Sequence, residues 1–385
     1  MDSEVTMQFK FDFEYLIHLI YCAIHNLQPE EKPENISFNE VFSLGKVHEV
    51  ANIAFLSVDK LNNKPDEQLY AEWQVFYFHS VQRNARQLAE YGELTELLTD
   101  NKIRWTEAQG TITKTLYPTP DSRMMSDIDL IVDVDSLDKI EELMNSLGYE
   151  VKKIHENELN VFPENKSEIE FHTEYFSEFY KGSALRYSGA LNHPFNDAVP
   201  SEENEYKYVL DITHYYLYSL LHVIKHFEYA GCGIRRILDL YYLKTKLGDS
   251  IDSEYIDSVL EKYDFTENAH KLITLSEFWF ERIEPDIDLT DTIIDVLRSG
   301  NHGTTDIKLR NDLYRDAADS LSKAKRRKVK DFLFPQKEVL LEGYPELEGK
   351  NYSLFAMRLY RIKKNFTPVR IKHMFTYFGR IRKTK

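Results

Sequence analysis

The sequence has only two cysteines, no long apolar run and no surplus of positive charge, and each absence excludes a class of protein. Cys22 and Cys232 lie far apart and form no CxxC pair, so neither a disulfide framework nor a thiolate zinc site is indicated. No apolar run approaches the roughly 18 residues that span a bilayer. The start, MDSEVTMQFKFDF, lacks the basic and apolar segments of a secretory signal, so we expect a soluble, cytoplasmic protein.

The charge is negative overall but uneven along the chain. There are 48 Lys and Arg against 64 Asp and Glu, which gives a net charge of −16. General nucleic-acid binding needs a surplus of Lys and Arg, so it is not expected. Residues 352–385 depart from this composition, because they hold ten Lys or Arg and no acid.

This basic tail, residues 352–385, predicts two amphipathic segments separated by Pro368. Its core, RLYRIKKNFTPVRIKHMFTYFGRIRK, interleaves basic residues with Leu, Ile, Phe, Met and Tyr. Such segments lie on anionic membrane surfaces or on acidic partners. The competing interpretation is that the tail docks on the acidic remainder of its own chain. An upstream basic run, KAKRRKVK at 323–330, is typical of a solvated helix face.

The hydrophobic periodicity changes twice along the chain. The first hundred residues keep a helical three- and four-residue spacing, strand-like segments alternate with short helices over roughly 99–185, and helices follow. We therefore predict an α+β protein in which a small mixed β-sheet core is flanked by N-terminal and C-terminal helical regions. The predicted segments are 1–98, 99–185, 186–350 and the tail at 351–385.

Carboxylates alternate with apolar residues in the stretch RMMSDIDLIVDVD, residues 123–135. Side chains two apart on a strand point the same way, so Asp127 and Asp129 share one face. In SEIEFHTEY the same parity places Glu168, Glu170 and His172 on one face. If the two strands are neighbours, the acids converge on one patch.

Close carboxylates repel one another and raise each other's pKa, a cost that a divalent cation removes. Mg²⁺ suits such a cluster because it takes oxygen ligands and bridges to phosphates. Two ions about 4 Å apart stabilise both the attacking and the leaving oxygen of a phosphoryl transfer. The alternative is that DIDLIVDVD is an edge strand with solvated acids.

Gly110 and Thr111 stand where a predicted strand ends and a predicted helix begins. A glycine at such a junction lets backbone amides approach a phosphate. Together with the two acidic strands, this element predicts a site for a phosphorylated ligand.

These motifs resemble the polymerase-β-like nucleotidyltransferase superfamily, whose core has a glycine followed by a small hydroxyl residue, a Dx[DE] strand and a third carboxylate on a later strand. Within it the sequence is most similar to a family of uncharacterised bacterial nucleotidyltransferases. The matching elements are QG at 109–110, Tyr117, Arg123, DIDLIV at 127–132, SLGY at 146–149 and EFH at 170–172. Gln109 stands where the family has a lysine, which leaves Arg123 as the main expected cation at the phosphate end.

The resemblance implies an enzyme that transfers a nucleoside monophosphate from an NTP to a hydroxyl acceptor, with Mg²⁺ or Mn²⁺ as cofactor. It implies that Asp127, Asp129 and Glu170 are catalytic and bind the metal, and that Glu170 also helps to deprotonate the acceptor. The residues implied to contact the nucleotide are Gly110, Thr111, Arg123, Ser126 and His172. Glu168 is the rival of Glu170 for its role.

His222 and His226 are four residues apart on a predicted helix, a spacing found in zinc sites. The intervening residues are Val, Ile and Lys, so the general-base Glu of an HExxH protease is absent. We expect His226, Arg236 and Asp239 to form a polar cluster that fixes helix packing. Direct contact of this helix with the substrate is the alternative.

Two other functions compete with nucleotidyl transfer. A DxD motif also holds the diphosphate of a sugar nucleotide in metal-dependent glycosyltransferases, but those enzymes usually have a larger α/β half before the motif, whereas residues 1–98 have helical periodicity. The other alternative is a binding module that kept the fold without catalysis. Gln109 favours that alternative, and the presence of all three carboxylates opposes it.

Overall fold

The computed structural model describes residues 3–155, 157–176, 184–191, 193–315, 320–344, 347, 349–350, 352–365 and 368–383. The chain forms two compact units. The first unit comprises Met1–Phe227 and Cys232–His302, and the second comprises Glu228–Gly231 and Gly303–Lys385. The segment 186–350, predicted as one helical domain, contributes residues to both units.

Helices precede and follow the sheet of the first unit. Several begin at side-chain caps; for example, Ser37 accepts from the Glu40 amide, and Asp66 accepts from the Leu69 amide at the start of a 34-residue helix. The helices are α1 Ser3–Ile24, α2 Phe38–Val47, α3 Ala51–Val58, α4 Glu67–Asp100, α5 Gln109–Thr115, α6 Leu137–Ser146, α7 Ala184–Ala190, α8 Pro194–Asp197, α9 Ile212–Tyr229, α10 Ile234–Leu247, α11 Ser253–Lys262, α12 Thr266–Phe280 and α13 Thr290–Ser299.

The described strands form one mixed sheet of seven in the order β3-β4-β5-β2-β1-β7-β6. Strand β2 is parallel to β5 and antiparallel to β1, and β1 is parallel to β7. The strands are β1 Trp105–Glu107, β2 Asp127–Val132, β3 Glu150–His155, β4 Glu158–Phe162, β5 Glu168–His172, β6 Ala198–Pro200 and β7 Lys207–Leu210. The sheet is thus larger than predicted, because β6 and β7 lie beyond the expected limit at residue 185.

The apolar face of β2 belongs to a core between the sheet and two helices. Ile128, Leu130 and Val132 are each at most 1% exposed. They pack in one cluster with α6 and with the C-terminal end of α4. Burial of this face fixes the register of β2 and turns its acidic side chains to the opposite face.

Close packing of the backbone determines where α10 begins. Gly233 precedes the helix, and a Cβ at this position would lie 2.8 Å from the Asn301 backbone. A larger residue would therefore displace the start of α10, the helix that carries Arg235 and Arg236.

The second unit contains helices α14 Thr305–Arg315, α15 Leu321–Leu333, α16 Lys337–Gly343, α17 Leu354–Asn365 and α18 Pro368–Lys383. The tail forms α17 and α18, and Pro368 begins α18. Ile381 of α18 is buried in a small core with Leu309, Leu313 and Ala324. Lys385, one of the ten tail cations, lies outside the described residues. Among the described residues, no helix combines the length and apolar character needed to cross a membrane.

Candidate active site

Three neighbouring strands bring the acidic side chains together. In the parallel pair of β2 and β5, Asp127 lies opposite Glu168 and Asp129 opposite Glu170. Strand β4 runs antiparallel along the other edge of β5 and places Asn160 opposite Glu170. The acids of β2 and β5 therefore form one patch on one face of the sheet.

His172 lies among these carboxylates. Its Nε2 is 3.5 Å from Asp129 Oδ1 and 3.5 Å from Glu170 Oε2. Ligand atoms of Asp129, Glu170 and His172 lie within 4.8 Å of one another. Asp127 adjoins this trio and accepts a hydrogen bond from Ser126 Oγ at 3.0 Å. This donor set, rich in carboxylate oxygens, fits a hard divalent cation.

The electrostatics of the patch also favour a cation. Burial, together with the charges of Asp129 and Glu170, raises the pKa of Asp127 to about 7. Burial alone would lower the pKa of His172, but hydrogen bonds to Asp129 and Glu170 raise it to about 10. A protonated His172 therefore supplies positive charge to the carboxylates while no cation is bound, and a cation that binds at its Nε2 would displace this proton.

Glu168 and Glu170 share a face but differ in position. Asn160 Nδ2 donates to Glu168 Oε1 at 3.2 Å and to Glu170 Oε1 at 3.1 Å. Glu170 lines a cavity next to the patch, whereas Glu168 is not among the described residues that line it. Glu170 is thus the carboxylate of this strand that a bound ligand reaches.

The start of α5 borders the same cavity. Gln109 and Gly110 line it. A Cβ at Gly110 would lie 3.1 Å from Met125 Cε, so the close packing here suits glycine. Thr111 is 9% exposed, and its Oγ1 has no hydrogen-bond partner among the described residues.

Arg123 is held in a buried ion pair. Its Nε lies 2.7 Å from Asp239 Oδ1 and its Nη2 lies 2.9 Å from Asp239 Oδ2, while Nη1 donates to the Gly110 carbonyl at 3.3 Å. Tyr117 also donates to Asp239, at 2.8 Å. Burial opposes the charge of Asp239, but Arg123 keeps the pKa of that carboxyl below its usual value. Arg123 lines the cavity with its charge already balanced.

The two histidines of α9 are linked to α5. His222 Nδ1 hydrogen-bonds to Gln109 Oε1, and Gln109 Nε2 donates to the Ser219 carbonyl at 3.4 Å. Because a carbonyl oxygen only accepts, His222 carries its proton on Nδ1, and its Nε2 accepts from His226 Nε2 at 2.9 Å. Burial lowers the pKa of both rings well below the usual value, so both are neutral. His226 therefore pairs with His222, and Asp239 pairs with Arg123 rather than with His226.

The cavity has a volume of about 450 Å³ and is lined by both acidic and basic side chains. Its acids come from β2, β4 and β5, and most of its cations and histidines come from α9, α10 and their surroundings. The residues that line it are Gln109, Gly110, Arg123, Met125, Ser126, Asp127, Asp129, Ile154, Glu158, Glu170, His172, Tyr175, Tyr218, His222, Lys225, His226, Arg235, Arg236 and His302.

The sequence reasoning missed several of these residues. Glu158 lies opposite His172 and its Oε2 is 4.0 Å from His172 Nδ1. Glu158 and Asn160 in ELNVF are two residues apart, so they share one strand face as the acids of β2 and β5 do. This pattern could have identified Glu158 from the sequence. Lys225 and Arg235 offered no such pattern, because charges on a predicted helix are usually solvated.

The match to a known family covers the sheet and most of the helices of the first unit. A family model described as "Uncharacterised nucleotidyltransferase" matches residues 34–281, which include the seven described strands and the helices α5, α9 and α10 beside the cavity. Among solved structures, the antibiotic-resistance factor ANT(2'')-Ia matches with 11% sequence identity and a TM-score of 0.34, over 48% of this chain and 95% of that chain. No curated protein matches the sequence.

Proposed function

Because the chain belongs to the family of uncharacterised nucleotidyltransferases, we propose that it transfers a nucleoside monophosphate from an NTP to a hydroxyl-bearing acceptor and requires Mg²⁺ or Mn²⁺. The observation that carries this proposal is the register of β2 and β5, which sets Asp129 directly opposite Glu170 beside the cavity. Asp127 shares their face. Carboxylates that can hold divalent cations beside a cavity are the arrangement that metal-assisted phosphoryl transfer needs.

In the proposed reaction, the acceptor oxygen attacks the α-phosphorus of the NTP. A bond forms between this oxygen and the phosphorus, the bond from the α-phosphorus to the bridging oxygen breaks, and pyrophosphate leaves. The bound metal would neutralise charge on the phosphates and lower the pKa of the acceptor hydroxyl. Asp127 and Asp129 would hold the metal at the triphosphate, and Glu170 would hold a second metal at the acceptor hydroxyl.

Glu170 is proposed to receive the acceptor proton. Its Oε1 accepts from Asn160 at 3.1 Å, while its Oε2 faces His172 at 3.5 Å. Two fixed neighbours hold the carboxylate in one orientation, which a general base requires. Ser126 orients Asp127 through its 3.0 Å hydrogen bond.

A thermal-shift screen tests the proposal. The four NTPs are each added with Mg²⁺, with Mn²⁺ or with EDTA, and sugar nucleotides form a parallel set. At 100 times its Kd a ligand adds about 2.7 kcal/mol to stability, a shift that the assay detects easily. We expect at least one NTP to raise Tm only when metal is present. A shift with sugar nucleotides alone would favour a glycosyltransferase, and no shift with any NTP would contradict the proposal.

A further inference from the structure

A second cavity of the first unit shares no lining residue with the cavity of the candidate active site. Its volume is about 670 Å³, against about 450 Å³ for the cavity beside the carboxylates. Most of its lining comes from α1, α12 and α13. The described residues that line it are Lys10, Phe13, Glu14, Ile17, Phe278, Trp279, Arg282, Thr290, Ile293, Ile294, Leu297 and Arg298. Because most of them are apolar, we call it the apolar cavity.

Buried aromatic and aliphatic side chains form a fixed part of this lining. Phe13, Ile17 and Trp279 are 2%, 3% and 4% exposed, and all three belong to the main core of the unit. The rings of Phe13 and Trp279 pack edge to face, with centroids 5.4 Å apart. Since the core is close-packed around these residues, they cannot move into the cavity without disrupting it.

Helix α13 adds an apolar face to the same cavity. Ile293, Ile294 and Leu297 lie within one helical turn and on one side of the helix. All three line the cavity and remain partly exposed. A ligand with an apolar body would cover this surface, and the burial of apolar surface would favour its binding.

Three cations and one acid carry the charge of the apolar cavity. Lys10 Nζ lies 3.6 Å from Glu14 Oε1, so these two charges balance each other. Arg282 lies against the ring of Tyr21, with its guanidinium carbon 4.5 Å from the ring centroid. In the described part of the chain, neither Arg282 nor Arg298 has a carboxylate within ion-pairing distance. Two arginine charges therefore remain at this cavity, in a chain whose net charge is −16.

The polar and apolar parts of the lining differ in exposure. Arg282 and Arg298 are exposed, whereas Phe13 and Trp279 are buried. A small polar anion would leave the apolar side chains uncovered, and a neutral hydrocarbon would leave the arginines without a partner. A single apolar chain that ends in a carboxylate or a phosphate matches both, because guanidinium groups pair with either head group through two hydrogen bonds.

We propose that the apolar cavity binds a single-chain amphipathic anion. The apolar chain would lie against Phe13, Ile17 and Trp279, and the carboxylate or phosphate would pair with Arg282 and Arg298. The volume of about 670 Å³ lies within the range of small-molecule sites. This inference does not depend on the proposed function, since the two cavities share no residue.

Isothermal titration of the full chain with dodecanoate and with dodecyl phosphate, each below its micelle concentration, tests the proposal. We expect saturable binding of at least one of them without metal or nucleotide. Dodecyltrimethylammonium has the same chain and the opposite charge, so it should bind at least about 10-fold more weakly. Decanoate lacks two methylenes and should bind about 10-fold more weakly than dodecanoate, because the chain is buried.

Substitutions in the lining locate the binding site. Arg282→Met and Arg298→Met should each weaken binding about 3- to 5-fold, the effect of one partly exposed ion pair, and together about 10-fold or more. Ile294→Trp adds bulk inside the cavity and should weaken binding about 10-fold or more. Arg326→Met and Val75→Trp make the same changes at exposed positions that do not line the cavity, and both should bind as the wild type does.

Equal affinity for the anionic and the ammonium amphiphile, or unchanged affinity in every lining variant, would overturn the proposal. Weak binding by Ile294→Trp with full affinity in the double arginine variant would show a site for neutral apolar ligands instead. Absence of binding, together with a concentration-dependent dimer that Ile294→Trp abolishes, would show that a second copy of the chain covers the cavity. Circular dichroism and Tm confirm folding, and the double arginine variant decides if Ile294→Trp unfolds.

Discussion

Glu168 and Glu170 lie two residues apart on one face of β5, yet only Glu170 lines the cavity. If Glu170 takes the proton from the hydroxyl of the acceptor substrate, Glu170→Gln should lower the transfer rate by about 100-fold or more, within the range for a general base. Nucleotide affinity should stay within a few-fold, because Asp127 and Asp129 remain. Single-turnover rates and nucleotide titrations measure the two effects separately.

Glu168→Gln is the matched control for this comparison, since it makes the same chemical change on the same strand. We expect its transfer rate to stay near that of the wild type. Full activity in Glu170→Gln together with loss in Glu168→Gln would reverse the assignment of the two acids.

His48, which contacts the start of α10, makes the stability of the protein depend on pH. Its Nδ1 accepts from the Ile234 amide at 3.2 Å at the start of that helix, and burial lowers its pKa to about 4. Between pH 6.5 and 4 the unfolded chain binds the proton and the folded chain does not, so this group makes stability fall as pH falls. The full effect is about 3 kcal/mol.

Urea unfolding at several pH values checks this prediction. His48→Gln keeps an acceptor for the Ile234 amide but does not titrate, so its stability should fall less steeply between pH 6.5 and 4 than that of the wild type. Parallel curves for the two proteins would show that His48 is not the group responsible.

At the residue scale, the strand parity of DIDLIV and EIEFH predicted which acids share a face, because alternation is a local property of strands. Contacts between residues that are distant in sequence were not predictable in the same way. Arg123 and Asp239 are 116 residues apart in sequence, and nothing local to either residue indicates a buried pair. Arg236 likewise has the sequence context of an ordinary helix surface.

At the element scale, the missed strands show why the sheet was predicted too small. Strand β6 has three residues and β7 has four, separated by the polar segment SEENEY. Neither has a clear period of two, and β7 pairs in parallel with β1, about 100 residues earlier. Such pairing depends on tertiary contacts rather than on local propensity.

The ion pair between Arg123 and Asp239 ties the loop before β2 to α10. Arg123 is 4% exposed and Asp239 is 0% exposed. Asp239→Asn should destabilise the protein by about 3–5 kcal/mol, because it leaves a buried guanidinium without its counter-charge. Denaturant unfolding measures the change in the free energy of unfolding.

The double variant Arg123→Met with Asp239→Leu is the control for this prediction, because it removes both charges. We expect it to be more stable than Asp239→Asn alone, a non-additivity that shows the two residues interact. A loss below about 1 kcal/mol in Asp239→Asn would contradict the structural role of the pair.

At the scale of the whole molecule, the residues that line the cavity all belong to the first unit, and the basic tail belongs to the second. Helix α17 exposes Phe355, Leu359 and Ile362 on the side opposite the buried Met357, with Lys363 exposed beside them. This combination is typical of helices that lie on anionic membrane surfaces. We expect the full chain to float with phosphatidylglycerol-containing vesicles at low salt and not with phosphatidylcholine alone.

Leu359→Asp with Ile362→Asp should abolish this flotation and leave the metal-dependent nucleotide affinity unchanged. Val75→Asp places the same new charge on an exposed apolar position of the first unit and should still float. Equal flotation of both variants would exclude α17 as the contact. Loss of nucleotide affinity in the α17 variant would show that the tail contributes to the site.

The central claim is that Asp127 and Asp129 hold the divalent metal on which nucleotide binding depends. Isothermal titration of an NTP identified by the screen, with Mg²⁺ and with EDTA, into the wild type and Asp129→Asn tests it most directly. The account predicts wild-type binding with Mg²⁺ that weakens at least about 10-fold in EDTA, and Asp129→Asn that binds weakly in both, because the variant lacks a charged metal ligand. Undiminished, Mg²⁺-dependent binding by Asp129→Asn would contradict it.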